Sequence, residues 1–150
     1  MRARVGAAAV VVIGMLSLTG CAPDPDIGPL QAELEGIDGV NGVQVSVQHS
    51  GAPWNTSIVV GFYLDDPTDA ALTEVVEEAV PALAADATAS THPIAILFYD
   101  GALADYDRPG EQTGDKVLPG SAVYDALGLD FGGGESVRLT PDDLARLEAS

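Results

Sequence analysis

The chain has 150 residues, of which 23 are Asp or Glu and 6 are Lys or Arg, and its formal net charge at pH 7 is −17. This balance excludes a nucleic-acid-binding protein, because neutralising phosphates requires many Lys and Arg side chains. The length indicates a single domain, and the single cysteine, Cys21, excludes an internal disulfide, so burial of apolar surface must stabilise the fold.

The first 20 residues have the three parts of an export signal. Arg2 and Arg4 form a basic start, an apolar run extends from Val5 to Leu18, and small residues follow it. The run is shorter than the roughly 20 residues that a membrane-spanning helix needs. We therefore predict that residues 1–20 are a signal peptide that is removed on export.

The apolar run ends in Leu18-Thr19-Gly20-Cys21, which resembles the lipobox of bacterial lipoproteins. The resemblance implies cleavage before Cys21, attachment of a diacylglycerol to its sulfur, with or without an N-linked acyl chain such as palmitate, and a location on the extracytoplasmic side of the cell membrane. Two or more acyl chains give stable anchoring. The alternative is an ordinary cleaved signal in which Cys21 is incidental.

Removal of this leader takes away Arg2 and Arg4, so 4 basic residues remain against 23 acidic ones and the net charge becomes −19. The preference for Arg over Lys, with many Ala, Asp and Gly, resembles the composition of actinobacterial exported proteins. Anionic headgroups repel such a surface. A lipid on Cys21, rather than charge, would hold the protein at the membrane.

Residues 21–27 form a short tether rich in Pro and Asp, and we expect one domain over residues 28–150 that begins close to the membrane. Its first element is a short helix. Apolar residues recur there at helical spacing, at Leu30, Leu34 and Ile37. Pro29 suits the first turn of this helix, and Gly36 suits its C′ position.

Two strands follow and predict a hairpin. Apolar side chains alternate with polar ones at Val43, Val45 and Val47. They alternate again at Ile58, Val60, Phe62 and Leu64. This period of two is typical of strands with one solvent-exposed face. The turn residues 50–53 between the two strands favour antiparallel pairing.

A long amphipathic helix is predicted next. Its apolar stripe consists of Leu72, Val75, Val76, Ala79, Val80 and Leu83. Asp66 or Thr68 can serve as its N-cap, and Pro81 is expected to kink or shorten its last turn. Residues 94–99 are then apolar on both faces, as in a central strand.

Residues 100–135 lose this periodicity and are predicted to be a long loop, in which only Ser121 to Leu127, closed by Gly128, indicates a helix. Loops of this length are usually functional or disordered. Residues 136–139 then indicate a short strand, and Thr140 caps the start of a last helix.

This order of elements predicts an α+β fold: a two-layer sandwich with a small antiparallel or mixed sheet and helices on one face. The stretch Gly39-Val40-x-x-Val43-x-Val45, with the hairpin and helix after it, is similar to ferredoxin-like domains of the heavy-metal-associated family. The resemblance extends over residues 28–99. The paired cysteines with which that family binds metal are missing here, so the resemblance concerns the fold and not metal trafficking.

Parallel pairing of residues 57–64 with 94–99 would gather His49, Trp54 and His92 at one edge of the sheet. Two neutral imidazoles with a carboxylate or water are typical ligands of zinc or copper. His49 and His92 are therefore candidate metal ligands. The alternative is that both are exposed loop residues and that Trp54 covers the end of the hairpin.

The opposite edge would be acidic. Its candidate ligands for calcium, which takes about six to eight oxygen atoms, are Asp65, Asp66, Asp100, Asp105 and Asp107. The alternative is that these carboxylates cap helices and turns. The outer face of the long helix carries Glu74, Glu77 and Glu78, and it is either a solvated face or a surface for a basic partner.

No catalytic motif is recognisable in the sequence. The chain has no G-x-S-x-G elbow, and glycines 132–134 lack the flanking strand and helix of a phosphate-binding loop. We therefore expect no cofactor and no enzymatic activity. The leading hypothesis is a lipid-anchored module that binds an unidentified protein partner, either basic or uncharged. A small-ligand or metal-binding lipoprotein and a cell-wall-active hydrolase are the alternatives.

Overall fold

The computed structural model describes residues 24–52, 54–65, 67–106, 117–118, 120–130 and 135–150. In these ranges the elements are α1 (Gly28–Leu34), β1 (Val40–His49), β2 (Thr56–Leu64), α2 (Asp69–Ala85), β3 (Ile94–Asp100), β4 (Val117–Leu118), α3 (Ser121–Leu127), β5 (Val137–Leu139) and α4 (Pro141–Glu148). Single 3₁₀ turns at Ala89–Thr91 and Leu103–Asp105 flank β3. The strands form one mixed sheet with the helices on one face, which confirms the predicted α+β two-layer sandwich.

The sheet is mixed because the connections between its strands differ in length. β1 and β2 pair antiparallel through a short turn, with His49 opposite Thr56. β2 and β3 are parallel, with Ile58 beside Ile94, and α2 forms the crossover between them. β4 and β5 both pair antiparallel with β3, β4 near its end and β5 near its start. The predicted hairpin and the predicted parallel pairing are thus confirmed.

The ferredoxin-like arrangement expected for residues 28–99 differs from this topology. A split βαβ unit has another strand between its two parallel strands, whereas β2 and β3 hydrogen-bond to each other directly. The reason is that the hairpin places β1 on one edge of β2 and leaves the other edge free for β3. That expectation is wrong for this sheet.

One face of the sheet and the inward sides of the helices form the main core. Alternate strand residues such as Val43, Val60 and Phe62 are buried against helix residues such as Val76 and Leu83. Burial of this apolar surface is the dominant favourable term in folding, and it follows the predicted alternation along the strands. The surfaces left exposed are the second face and the edges of the sheet and the outer sides of the helices.

The ends of the helices agree with most of the predicted caps. Thr68 is the N-cap of α2, and its Oγ1 accepts a hydrogen bond from the Ala71 N–H at 3.2 Å. Gly36 follows the C-cap residue of α1, as predicted. The left-handed conformation that favours glycine occurs instead at Gly39, where φ is 81° and the chain turns into β1.

α2 continues through Pro81 to Ala85, so the expected shortening of its last turn is wrong. Proline removes the N–H donor for the carbonyl four residues earlier, which belongs to Glu77. Both Pro81 and Glu77 lie on the exposed side of the helix, where water can hydrogen-bond to that carbonyl. Ala82 and Leu83 are buried and keep the last turn on the core.

The predicted long loop, residues 100–135, contains α3 as expected. It also contains the 3₁₀ turn at Leu103–Asp105 and β4, neither of which was predicted. The predicted signal peptide and Cys21 lie outside the described residues. Of the helices within the described ranges, none is long and apolar enough to cross a membrane.

Candidate functional site

The two histidines lie at the same edge of the sheet, as predicted. His49 ends β1 opposite Thr56, and His92 lies two residues before β3. We call this end of the sheet, with the β1–β2 turn, the histidine edge. Trp54 lies in that turn with 86% of its surface exposed, so it does not cover the end of the hairpin.

Each imidazole has its own hydrogen-bond partners. His49 Nε2–H donates to Asp24 Oδ1 at 2.8 Å, and His49 Nδ1 shares a hydrogen bond of 3.2 Å with the Thr56 hydroxyl. His92 Nδ1–H donates to the Thr88 carbonyl at 2.9 Å. No group of three His, Cys, Asp or Glu residues that could hold a metal occurs in the described part of the chain. The two histidines thus hold the N-terminal segment and the 3₁₀ turn before β3, and the zinc or copper site stays a prediction.

The opposite end of the sheet, which we call the acidic edge, carries Asp38, Asp65, Asp100 and Asp105. Asp100 pairs with Leu64 at the end of the parallel strands, and Asp65 directly follows β2. A notch of about 280 Å³ beside this edge is lined by Asp38, Asp65 and Glu74, among others. Asp65 and Asp100, two of the predicted calcium ligands, therefore lie at the same end of neighbouring strands.

Asp105, one of the candidate calcium ligands, bonds to the backbone of its own turn. Asp105 Oδ2 accepts a hydrogen bond from the Ala102 N–H at 2.9 Å, which closes the 3₁₀ turn. Asp66 and Asp107, two further candidates, lie outside the described residues. Turn capping, the alternative considered for this edge, accounts for Asp105, and the calcium site stays a prediction.

Three tyrosines form a cluster on the second face of the sheet, beside the acidic edge; we call it the tyrosine cluster. The rings of Tyr63 and Tyr99 are stacked with centroids 4.8 Å apart, and Tyr106 meets them edge-on at 5.2 and 5.6 Å. The Tyr106 hydroxyl donates to the Asp100 carbonyl at 2.8 Å. The Tyr63 hydroxyl is buried without a hydrogen-bond partner among the described residues. Burial, with Tyr63 beside it, raises the pKa of Tyr99 above its ordinary value of 10.0.

Two glycines allow the tyrosine cluster and its cover to form. A Cβ on Gly61 would lie 3.0 Å from Tyr99 Cε2, and a Cβ on Gly42 would lie 3.1 Å from Leu103 Cβ. The 3₁₀ turn at Leu103–Asp105 therefore covers this half of the second face. The cover was not predicted, because Leu103 and Tyr106 belong to a segment without periodicity.

The other half of the second face is an open groove of about 430 Å³. Its lining includes Gln48, Ser57, Val59, Ala95, Arg138 and Thr140. Arg138 is exposed and makes no ion pair with any described residue. The other described cation, Arg146, donates instead to the carbonyls of Leu127 and Gly128 at the end of α3. The groove thus combines one available positive charge with polar and apolar side chains, as small-molecule sites do.

β1 is the long free edge of the sheet, and we call its outer side the open edge. β2 pairs with one side of β1, and no strand in the described ranges pairs with the other. The Val45 N–H points outward and donates to Gln31 Oε1 at 3.3 Å. The N–H groups of Val43 and Val47 point the same way, because the orientation repeats every two residues.

The open edge carries no charged side chain and no proline, two of the features that normally keep a free strand from pairing. Among the described residues, its protection is limited to a register shift between Val40 and Gly42 and to the hydrogen bond that ties Val45 to α1. The strand Val40–His49 contains none of Pro, Asp, Glu, Lys and Arg. The uncharged stretch extends from Gly39 to Leu64, although 19% of the chain is charged. The neighbouring helix α1 exposes Glu33 and Glu35. An uncharged strand edge beside carboxylates suits an extended segment that is neutral or basic.

The residues singled out from the sequence thus fall at the two ends of the sheet, while the open edge lies between them along β1. The open edge was not predicted, although the uncharged stretch from Gly39 to Leu64 is a signal that could have found it. Comparison of the chain with protein families, with curated proteins and with solved structures gave no match.

Proposed function

We propose that this protein is an extracytoplasmic lipoprotein, anchored to the cell membrane through Cys21, whose domain is a non-catalytic protein-interaction module. The observation that carries the interaction is the open edge, where the outward N–H groups of β1 have no strand partner in the described ranges. A segment of another protein that adds a strand there accepts from the Val43 and Val47 N–H groups and takes the place of Gln31 Oε1 on the Val45 N–H. Main-chain hydrogen bonds supply the affinity, and alternate side chains supply the specificity.

The chemistry of the partner segment follows from the surroundings of β1. The strand has ten residues, which is about 33 Å at roughly 3.3 Å per residue. The exposed carboxylates of Glu33 and Glu35, together with the net charge of −19 after removal of residues 1–20, favour a basic segment. Gln44 and Ser46 on the second face offer an amide and a hydroxyl to its side chains.

The anchor is supported by the lipobox resemblance of Leu18-Thr19-Gly20-Cys21 and by charge. A domain this acidic is repelled by anionic headgroups. A covalent lipid overcomes that repulsion, since two acyl chains bind a bilayer stably. The anchor then keeps the open edge near the membrane, where it meets segments of other surface proteins.

Site-specific photo-crosslinking in intact cells tests the interaction. A photoreactive residue replaces Ser46, beside the open edge, and in a matched control it replaces Glu78, on the exposed side of α2. We expect one other protein to be captured from position 46 and not from position 78. Adding Val47→Pro should abolish the capture, because it removes an outward N–H without removing a bond to β2, whereas Val47→Thr should preserve it.

Thermal melting shows which of these variants are folded. Capture that persists in a folded Val47→Pro protein contradicts pairing at the open edge. Capture of nothing but a second copy of this chain would replace the proposed partner by self-pairing.

Small-ligand binding is a second candidate function, and the groove beside Arg138 favours it. The available guanidinium and the apolar side chains of Val59 and Ala95 suit a small acid with an apolar body. A screen of such acids by NMR should find shifts confined to the groove and lost in Arg138→Gln. The cell-wall hydrolase alternative has no observation in its favour.

A further inference from the structure

The chain enters the domain at the histidine edge. Asp24 Oδ1 accepts a hydrogen bond from His49 Nε2 at 2.8 Å, which places residue 24 beside the end of β1. Cys21 is three residues earlier, and three residues of extended chain span at most about 11 Å. A lipid on Cys21 therefore brings the membrane surface close to this end of the sheet and not to the acidic edge.

Trp54 lies at the same end, between β1 and β2. Within the turn, the Ser50 N–H donates to the Asn55 carbonyl at 3.1 Å, and the Asn55 N–H donates to the Ala52 carbonyl at 2.9 Å. The Asn55 side-chain amide donates to the Ser50 carbonyl at 2.8 Å. Trp54 is 86% exposed and is the one large hydrophobic residue among those described that is exposed. An exposed indole can contact a neighbouring surface with its apolar rings and with its N–H donor.

We infer that the histidine edge is the membrane-contacting end of the domain, with the Trp54 indole in the headgroup region of the bilayer. The inference rests on the anchor at Cys21, which is part of the proposed function. An indole suits that location because its rings are apolar and its N–H is a hydrogen-bond donor, and Trp is enriched at membrane interfaces for this reason.

The distribution of charge agrees with this orientation. The stretch from Gly39 to Leu64 carries no charged side chain, so the β1–β2 turn brings no carboxylate to the headgroups. On this side of the domain, Asp24 is bonded to His49 and Asp86 accepts from backbone N–H groups at 2.9 and 2.8 Å. The start of α4 adds Asp143, which is bonded to Thr140, and Asp142, which is exposed. The acidic edge is at the other end of β1, about 33 Å away at roughly 3.3 Å per residue. That distance exceeds the Debye length of about 8 Å at physiological salt, so its repulsion by anionic lipids is screened.

The chain has one cysteine and one tryptophan, so attachment and readout each occur at a single position. The mature protein beginning at Cys21 is coupled through its thiol to a maleimide lipid in vesicles of phosphatidylcholine and phosphatidylglycerol. We expect the Trp54 emission to shift to shorter wavelength and to be quenched by lipids with brominated acyl chains. The matched control, Cys21→Ser with Asp38→Cys, attaches the same domain by its acidic edge and should emit as the free protein does.

Unshifted emission from the protein attached through Cys21 overturns the inference. Equal quenching with both attachments also overturns it, because the position of the anchor then does not set the orientation. Chemical coupling does not depend on lipidation in cells, and the vesicles contain no protein partner. Failure of the proposed anchor or of the proposed partner is therefore observed separately, as a missing lipid on Cys21 or a missing crosslink at position 46.

Discussion

Tyr63 stacks on Tyr99 across two parallel strands, with ring centroids 4.8 Å apart. The Tyr63 hydroxyl is buried without a partner among the described residues, whereas the Tyr106 hydroxyl reaches the Asp100 carbonyl. Burying a hydroxyl without a hydrogen bond costs about 1–3 kcal/mol. The ring of Tyr63 therefore stabilises the fold, whereas its unpaired hydroxyl lowers the free energy of unfolding.

We expect Tyr63→Phe to leave the free energy of unfolding unchanged or to raise it by up to about 1 kcal/mol, since the ring stays and the unpaired hydroxyl is removed. The measurement is urea denaturation. The control is Tyr124→Phe, because the Tyr124 hydroxyl donates to the Ser136 carbonyl and accepts from the Arg138 N–H; it should lose about 1–3 kcal/mol. Equal losses in both variants would show that Tyr63 has a partner in solution.

Gly120→Ala should destabilise the fold by about 1–3 kcal/mol, as overpacking does. A Cβ at this position would lie 2.5 Å from Val137 Cγ2, and the φ of −80° excludes backbone strain as the cause. The measurement is denaturation of the single variants and of Gly120→Ala combined with Val137→Ala. The double variant should be more stable than the sum of the single effects by roughly 1 kcal/mol, and strictly additive effects would contradict the steric explanation.

The capping box of α4 should make stability depend on pH below about 4. The Thr140 hydroxyl donates to Asp143 Oδ2 at 2.6 Å, and this hydrogen bond is the main cause that lowers the pKa of Asp143 from its ordinary value of 3.8. A lowered carboxyl pKa adds stability above the unfolded-state pKa, and that stability is lost as pH falls through the folded-state pKa. The Tm difference between the wild type and Asp143→Asn should thus be constant above about pH 5 and shrink on acidification.

The matched control for this prediction is Thr140→Val, which removes the donating hydroxyl and keeps the shape of the side chain. It should lower the Tm at neutral pH, because an N-cap contributes about 1 kcal/mol, and it should weaken the same pH dependence. A Tm difference for Asp143→Asn that does not change between about pH 2 and pH 6 would show that the hydrogen bond does not shift this carboxyl.

The anchor predicts a defined chemical form of the protein in cells. Intact-mass measurement should find a chain that begins at Cys21 and carries the mass of a diacylglycerol, with or without an additional acyl chain. Cys21→Ser should carry no lipid and keep residues 1–20, whereas Ser17→Ala, which leaves the lipobox intact, should be processed normally. A wild-type protein that starts elsewhere and lacks lipid would contradict the anchor.

The fold could be predicted where local patterns decide it. The alternation along β1 and β2 and the helical spacing along α2 each identify one buried face, and the order of these elements leads to the parallel pairing of β2 with β3. β4 could not be predicted, because two residues have no measurable period and Val117 and Leu118 become a strand only by pairing with β3. The exposure of Pro81, which allows α2 to continue, is likewise a property of the fold.

The sequence predicts which candidate residues share an edge of the sheet, but not the side-chain contacts that they make there. Parallel pairing brings His49 and His92 to one edge, and this needs no knowledge of side-chain contacts. The partner of His49 is Asp24, 25 residues away in the sequence, in a tether that no periodic pattern connects to β1. The exposure of the Arg138 guanidinium and the burial of Tyr63 are likewise set by how neighbouring segments pack in the fold, which the sequence pattern does not show.

The acidity of the domain has a consequence for β1. Two uncharged strands without proline pair readily when they meet. Every mature copy of this protein, however, has a net charge of −19, and like-charged molecules repel one another before their edges can touch. Charges on the helices and at the far end of the sheet thus form a kinetic barrier to aggregation of neighbouring copies. A segment of opposite charge meets no such barrier. The β1 edge can therefore stay unpaired in the presence of other copies of this protein and still bind a basic partner segment.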